Sequence, residues 1–203
     1  MWELKNFIAL NLILFFTIPQ FGFSKCNEQL SQLSMPSGPE VGHFKKFFHE
    51  QYEPRKCGEN ALNFLKGLER DGQDISPYTM VQIENKGFSV FGMVNAEKAR
   101  TVIRGERTTD EANWYHHVFV LDSSGRVFDF DYLSEPTIKQ FSDYAEDMFL
   151  FEKECSTPLS GKFCAGREEK LDNYVLSFFR AKDALANQDK PYWKGTLREA
   201  LKR

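Results

Sequence analysis

The stretch NWYHHVFVLDSSGRVFDFDY (residues 113–132) decides the fold, because it predicts two β-strands joined by a tight turn. Side chains alternate between the two faces of a strand, so His116 and His117 are expected to point in opposite directions. The linking residues 123–125, Ser-Ser-Gly, predict a three-residue hairpin loop with glycine in the left-handed position. We therefore expect a hairpin with two histidines on one strand and two aspartates at the end of the other.

The length of the predicted loop determines which residues lie opposite one another. With three loop residues, His117 lies directly opposite Asp131 and diagonal to Asp129. A diagonal pair has Cα atoms roughly 7–8 Å apart, a gap that an imidazole and a carboxylate can bridge. A two-residue turn at 123–124 would shift the pairing by one residue and bring His116 to the aspartates instead.

The other face of the hairpin is predicted to be packed core. His116 shares that face with an apolar set consisting of Val118, Val120, Phe128, Phe130 and Tyr132. The three-residue loop therefore predicts that His117 is the histidine available for chemistry, while His116 is a packed residue.

A helix with a cysteine at its start is predicted upstream, in PRKCGENALNFLKGLERDGQ (54–73). Pro54 precedes it, and an apolar stripe at helical spacing follows: Ala61, Leu62, Leu65 and Leu68. A thiol at a helix N-terminus experiences the positive end of the helix dipole, which favours the thiolate, and the N–H groups of the same turn can stabilise an oxyanion. Cys57, His117 and one of the two aspartates, Asp129 or Asp131, are thus a candidate nucleophile, base and orienting acid, in a chain order that suits a papain-like arrangement.

The remaining patterns predict an α+β protein. We expect a short helix at 43–50, a hairpin formed by 79–83 and 88–94, a helix at 136–149, and a helical tail at 169–188. Residues 95–112 are charged, lack periodicity and are predicted to form a loop. The expected organisation is one domain over 25–203, with a core at about 43–150 and a helical C-terminal extension at 165–203.

The first residues have the layout of a secretory signal peptide. A single Lys5 precedes an apolar run of 12 residues at 7–18, and Pro19 is followed by the small residues Gly22 and Ser24. Because a membrane-spanning helix needs about 20 apolar residues, the run favours a signal peptide over 1–24, cleaved after Ser24, rather than an uncleaved anchor. We expect export to the periplasm or the exterior, with no membrane attachment of the mature form; a lipoprotein modified at Cys26 is a minor alternative.

Net charge and cysteine spacing restrict the classes of function that the chain can have. The net charge of −3 and the pI of about 5.9 exclude a basic nucleic-acid-binding surface. The four cysteines lie at 26, 57, 155 and 164, with no Cys–x–x–Cys or Cys/His spacing, so no metal site is predicted. Cys155 and Cys164 flank a turn and can pair across it. Two states remain open for Cys57, a disulfide with Cys26 or a reactive thiol.

Three motifs resemble those of the protein N-terminal glutamine amidohydrolases. Cys57–Gly58–Glu59–Asn60 resembles the family's Cys–x–Glu–Asn motif, and Trp114–Tyr115–His116–His117–Val118 resembles its Trp–Asp–Tyr–His–Val signature. Asp129–Phe130–Asp131 resembles the family's Asp–Leu–Asp element, and the likeness covers roughly 52–150. The second and third positions of the signature depart from the family pattern, with tyrosine in place of aspartate and histidine in place of tyrosine.

The resemblance implies a papain-like α–β sandwich that hydrolyses the side-chain carboxamide of an N-terminal Gln to Glu and ammonia. Cys57 would attack the carboxamide, His117 would act as base and then protonate ammonia, and Asp129 would hold the imidazole. Glu59 or Asp131 would bind the α-ammonium group of the substrate, or else support the helix and the hairpin. The resemblance implies no metal or organic cofactor; we expect a peptide or protein substrate and a monomer.

Other functions remain open at this stage. The known family serves an intracellular pathway, so an exported relative could act on an internal Gln instead. The same three groups would serve a cysteine peptidase or a transglutaminase-like acyl transferase. A non-catalytic exported binding or structural protein, with Cys57 bridged to Cys26, is the third possibility.

Overall fold

The computed structural model describes residues 38–85, 92–95, 98, 100, 111–114, 116–151 and 166–203. The described residues form six helices: α1 (Pro39–Glu50), α2 (Cys57–Arg70), α3 (Phe141–Met148), α4 (Arg167–Asn173), α5 (Ala181–Leu185) and α6 (Leu197–Ala200). They form eight strands: β1 (Tyr78–Asn85), β2 (Gly92–Asn95), β3 (Glu111–Trp114), β4 (His116–Asp122), β5 (Arg126–Phe128), β6 (Ile138–Gln140), β7 (Tyr174–Arg180) and β8 (Trp193–Thr196). The predicted signal peptide and three of the four cysteines lie outside the described residues.

Six of the strands form one antiparallel sheet. Its order is β6-β5-β4-β1-β7-β8, while β2 and β3 pair with each other in a separate two-stranded sheet. The α+β prediction is therefore confirmed. Among the described helices, none is long and apolar enough to cross a membrane.

The hairpin of β4 and β5 has the predicted register. Val120 lies opposite Phe128 and Leu121 opposite Val127, which leaves three residues in the loop. Gly125 has φ of +81°, the left-handed conformation that the loop requires. Strand β5 ends at Phe128, however, so the ladder stops before the two aspartates are reached.

Helices cover both faces of the six-stranded sheet. One face packs on α1, α2 and α5 through a cluster that includes Phe44, Phe48, Phe64, Leu65, Val118, Val120, Phe128 and Phe130. The opposite face packs on α3, α4 and α6 through Val81, Phe119, Val127, Tyr132, Tyr144, Leu171, Leu176 and Leu197. Placing Tyr132 with Phe128 and Phe130 was wrong, because the chain turns after β5 and carries Tyr132 to the other face.

The C-terminal segment departs from the predicted helical extension. Residues 174–180 form β7, which pairs with β1 on one side and β8 on the other. Its buried residues Tyr174, Leu176 and Phe178 alternate along the strand, so the apolar period is two and not the helical 3.6. The prediction of helix is confirmed at α4 and α5 and wrong at β7. Because β7 and β8 belong to the six-stranded sheet, the core does not end near residue 150.

Three further local predictions need correction at their boundaries or partners. The predicted hairpin of 79–83 with 88–94 is wrong, because β4 and β7 occupy both edges of β1 and β2 pairs with β3 instead. The predicted helix at 136–149 is helical only from Phe141, since β6 occupies 138–140. The predicted helix at 43–50 is confirmed but begins earlier, at Pro39.

Candidate active site

Cys57 is the first residue of α2, and the helix places it close to the start of β4. The helix packs on the face of β4 that carries Val118 and Val120. A Cβ atom built on Gly58 would lie 4.0 Å from Cγ2 of Val118, so the first turn of the helix nearly touches the strand. The thiol therefore lies beside the two residues that precede Val118. Within the described part of the chain Cys57 is a free cysteine.

The loop before Cys57 is held by Asn60, a residue of the Cys–x–Glu–Asn motif for which we predicted no role. Its side chain is 1% exposed, its Nδ2 donates to the carbonyl oxygen of Glu53 at 2.7 Å, and its Oδ1 accepts from the Glu53 N–H at 3.1 Å. Arg55, in the same loop, has φ of +65°, a conformation that non-glycine residues rarely adopt. A polar residue on the same side of α2 as the apolar stripe was the signal for this role.

His117 and Asp129 form a buried pair. Nε2 of His117 lies 2.9 Å from Oδ2 of Asp129, and the two residues are 2% and 1% exposed. The structure thus joins His117 to the diagonal aspartate rather than to Asp131, which faces it in an ideal ladder. The cause is the end of β5 at Phe128, after which the chain bends and turns the Asp129 carboxylate toward the imidazole.

Two more donors hold the Asp129 carboxylate in place. The backbone N–H of Asp131 donates to Oδ1 at 2.9 Å, and the Tyr144 hydroxyl donates to Oδ2 at 2.8 Å. Tyr144 is fully buried on α3, and burial together with the charge of Asp129 raises the pKa of its hydroxyl well above the usual value. Tyr144 therefore acts as a donor. Sequence reasoning missed it, because an aromatic residue on the apolar side of a helix is ordinarily core.

The electrostatics of the site favour a charged thiolate and a charged imidazole. Burial by itself would raise the pKa of the Cys57 thiol, but hydrogen bonds to His116 and His117 and the positive charge of His117 outweigh burial and lower the pKa to about 6. Burial likewise opposes the charged form of His117, yet the Asp129 carboxylate and the contact with Cys57 raise the pKa of His117 above its usual value. At neutral pH the pair is a thiolate and an imidazolium.

The position of His116 corrects a prediction. It is exposed rather than packed, and it lies close enough to Cys57 to lower the pKa of the thiol. The apolar cluster under α2 begins at Val118, so His116 lies beyond its edge, beside the start of the helix. The face assignment was correct, but this end of the face carries the thiol and not the core.

Asp131 also belongs to the site. It is 4% exposed, accepts a hydrogen bond from the Tyr52 hydroxyl, and lies near enough to Cys57 for its charge to oppose the lowering of the thiol pKa. The Arg100 guanidinium stacks on the Tyr52 ring at 4.0 Å from its centroid. A buried carboxylate therefore borders the nucleophile.

Glu59, the other predicted substrate-binding residue, lies on the surface of the first turn of α2. Its side chain is 64% exposed, and one carboxylate oxygen is 3.1 Å from Nζ of Lys56. Residues two apart on a helix do not face each other, so Glu59 is directed away from Cys57. The structure thus joins Cys57, His117, Asp129 and Asp131, whereas substrate binding by Glu59 stays a prediction.

Three of these residues also have the spacing of metal ligands. Ligand atoms of His117, Asp129 and Asp131 lie within 4.8 Å of one another. Nε2 of His117 and both oxygens of Asp129 already take part in hydrogen bonds, however, so a metal ion would have to displace them. The donor set is better suited to orienting an imidazole.

Comparison with known proteins adds no relative. No protein-family model matches the chain, and no curated protein matches its sequence. What the site does is therefore argued from its own residues.

Proposed function

We propose that this chain is a cysteine-dependent amidohydrolase with a papain-like fold, which converts a glutamine side-chain carboxamide to glutamate and ammonia. The observation that carries the proposal is the buried pair of His117 and Asp129, 2.9 Å apart, beside a Cys57 thiol whose pKa the neighbouring histidines lower to about 6. A cysteine at the start of a helix, with its base and orienting acid on an adjoining antiparallel hairpin, supports the papain-like assignment, as do the three motifs that resemble the N-terminal glutamine amidohydrolases.

In the first half of the reaction the thiolate forms a thioester. The Cys57 sulfur attacks the carboxamide carbon, and the N–H groups of the first turn of α2, which lack helical acceptors, stabilise the oxyanion. Because Nε2 of His117 is engaged by Asp129, Nδ1 is the nitrogen that faces the sulfur and delivers its proton to the leaving nitrogen. The C–N bond breaks, ammonia departs, and His117 is left neutral.

In the second half water cleaves the thioester. Neutral His117 takes a proton from the attacking water at Nδ1, and the resulting hydroxide adds to the acyl carbon. The C–S bond then breaks, its electron pair returns to the Cys57 sulfur, and the acid product leaves. His117 is again an imidazolium beside a thiolate, which restores the starting state. Asp129 stabilises the imidazolium in both halves.

The position of Asp131 favours a substrate that carries a positive charge near its carboxamide. A buried carboxylate next to the nucleophile attracts an ammonium group through charge-assisted hydrogen bonds. A peptide or protein beginning with Gln carries its α-ammonium a few bonds from its carboxamide. We therefore propose N-terminal Gln as the substrate, ahead of an internal Gln.

The proposal also covers where the protein acts and in which oligomeric state. The chain is exported by the signal peptide over residues 1–24 and acts as a monomer in the periplasm or outside the cell. Mass spectrometry of the chain recovered from the cell exterior or periplasm tests the cleavage, because the proposal requires an N-terminus at Lys25.

Ammonia release by the purified chain tests the reaction. One peptide beginning with Gln and one carrying Gln internally are offered, and Cys57→Ala is the control because it removes only the sulfur. Release from the first peptide alone supports the proposal, and release from the second indicates a protein-glutamine deamidase on the same scaffold.

Other outcomes would contradict amide hydrolysis. Peptide cleavage without ammonia would indicate a cysteine peptidase, and transfer to an added amine would indicate an acyl transferase. No reaction, together with a Cys57 that resists thiol reagents and is bridged to Cys26, would indicate a non-catalytic protein.

A further inference from the structure

Two histidines contact the nucleophile in this site, and their surroundings differ. His117 is buried and held by Asp129, whereas His116 is exposed and approaches the same sulfur from the other face of β4. Adjacent residues of a strand ordinarily cannot share a partner, since their side chains point apart. Here the first turn of α2 lies beside the first residues of β4, because a Cβ atom built on Gly58 would lie 4.0 Å from Cγ2 of Val118, which shares the face of His116. Cys57, the residue before Gly58, is therefore within reach of both histidines.

We propose that His116 is a second hydrogen-bond donor to the Cys57 sulfur, which stabilises the thiolate from the solvent side both before attack and when the thioester breaks. The inference rests on the proposed function. His117 must release its proton to ammonia and regain one from water, so its charge is absent during part of the cycle. His116 keeps its own proton throughout, and only a hydrogen bond to sulfur forms and breaks.

The charged groups around the two histidines are consistent with this role. On β1, Glu84 lies opposite His116 in the ladder, and its Oε1 accepts from Nε2 of Gln82 at 2.7 Å. The contact with Cys57 and, to a smaller extent, the charge of Glu84 raise the pKa of His116, while burial and the charge of His117 oppose the rise.

The charges on the other side of the thiol are engaged elsewhere. On α2 and the loop before it, Lys56 is paired with Glu53 at 2.8 Å and Glu59 at 3.1 Å. In the turn after β5, Asp129 holds His117, and Asp131 opposes the thiolate. His116 is thus the second histidine placed to act on the sulfur.

The rate of alkylation of Cys57 measures this effect without any substrate. The full chain is treated with iodoacetamide from about pH 4 to about pH 9, and modification of the Cys57 peptide is followed by mass spectrometry. In the unaltered chain the rate rises with pH through a midpoint of about 6, because only the thiolate reacts. His116→Ala removes the donor, and we expect the midpoint to move up by roughly one to two pH units.

Two further variants separate the hydrogen bond from general damage. His116→Gln retains an N–H donor without a charge, so its midpoint should lie between those of the unaltered chain and the alanine variant. His49→Ala, at an exposed histidine in the last turn of α1, should leave the midpoint unchanged. An alkylation midpoint in His116→Ala equal to that of the unaltered chain would overturn the inference.

Activity distinguishes failure of this inference from failure of the proposed function. If both hold, the low-pH limit of ammonia release moves up with the alkylation midpoint. A shifted midpoint with no ammonia release from any Gln peptide would support His116 as a donor but refute amide hydrolysis. Ammonia release with an unshifted midpoint would refute the role of His116 alone.

Discussion

A single carboxylate, that of Asp129, receives three donors in this protein. His117, Tyr144 and the backbone N–H of Asp131 all donate to it, at 2.8–2.9 Å. Three hydrogen bonds fix the orientation of this buried carboxylate. Its charge in turn retains the proton on His117, and His116 and the His117 imidazolium together outweigh burial and lower the pKa of the Cys57 thiol to about 6.

Replacing Asp129 with Asn tests this arrangement. The amide preserves the size of the side chain but removes the charge that stabilises the imidazolium. Its NH₂ group can only donate hydrogen bonds, whereas both oxygens of Asp129 accept them. We expect kcat for ammonia release to fall by roughly 10³–10⁴. Asp147→Asn is the matched control, because Asp147 also accepts from a tyrosine, Tyr132 at 2.6 Å, and should leave kcat within about twofold. An Asp129→Asn variant with unaltered kcat would show that the aspartate does not assist catalysis.

For single residues, the sequence left open which aspartate orients His117 and where His116 lies. Loop length placed His117 near both aspartates, and no local pattern distinguishes Asp129 from Asp131. The distinction depends on where β5 stops, and that is set by packing of the chain after Phe128. Similarly, the location of His116 beside the thiol depends on where α2 crosses β4, which is a tertiary property.

At the scale of elements, α2 and the loop before it form the support of the nucleophile. Asn60 bonds to both backbone groups of Glu53, and this fixes the chain four residues before Cys57. Asn60→Ala removes two buried hydrogen bonds and leaves the Glu53 groups without those partners, which costs about 2 kcal/mol of unfolding free energy.

Asn60→Ala should lower activity as well as stability. We expect kcat to fall more than tenfold, because a displacement of about 1 Å at a reacting atom has a cost of that order or larger. Asn63→Ala, at an exposed position one turn further along α2, should change neither quantity. Thermal unfolding and ammonia release are measured side by side. Loss of stability with full activity would show that the loop does not position Cys57.

Helix α3 contributes to the site through one hydroxyl. Tyr144→Phe removes the donor to Asp129 and preserves the buried ring, so we expect a loss of about 1–2 kcal/mol in stability and a fall in kcat of roughly tenfold. Tyr132→Phe removes a similar hydroxyl that donates to Asp147 and should affect stability alone. Equal kcat values for the two variants would contradict a role of Tyr144 in the site.

Local signals explain which elements sequence could predict. The turn at Gly125 and the apolar stripe of α2 are short-range features, so the hairpin register and the helix start were predicted correctly. Strand β7 was misread because its apolar period of two is followed directly by the helix-forming residues of α5. The partners of β1 were not predictable locally, since β4 and β7 lie far from it in the chain.

At the scale of the whole molecule, β7 connects the C-terminal segment to the sheet that carries the site. It lies between β1 and β8, and β1 in turn pairs with β4, the strand of the two histidines. Tyr174, Leu176 and Phe178 of β7 are buried in the cluster that also contains Tyr144. Burial of each such side chain stabilises the fold by roughly 1.5–3 kcal/mol.

A chain that ends at Phe151 should therefore not fold, although it retains Cys57, His117 and Asp129. Without β7 the edge of β1 is unpaired and one face of the sheet loses the apolar residues of α4, β7 and α6. We expect no cooperative thermal transition by circular dichroism and no selective alkylation of Cys57 near neutral pH, because the lowered thiol pKa requires the assembled site. Removal of only Lys202 and Arg203, which are exposed, should leave both properties intact. A cooperative transition in the shorter chain would mean that residues 38–151 are a self-sufficient core and that the C-terminal strands are an addition to it.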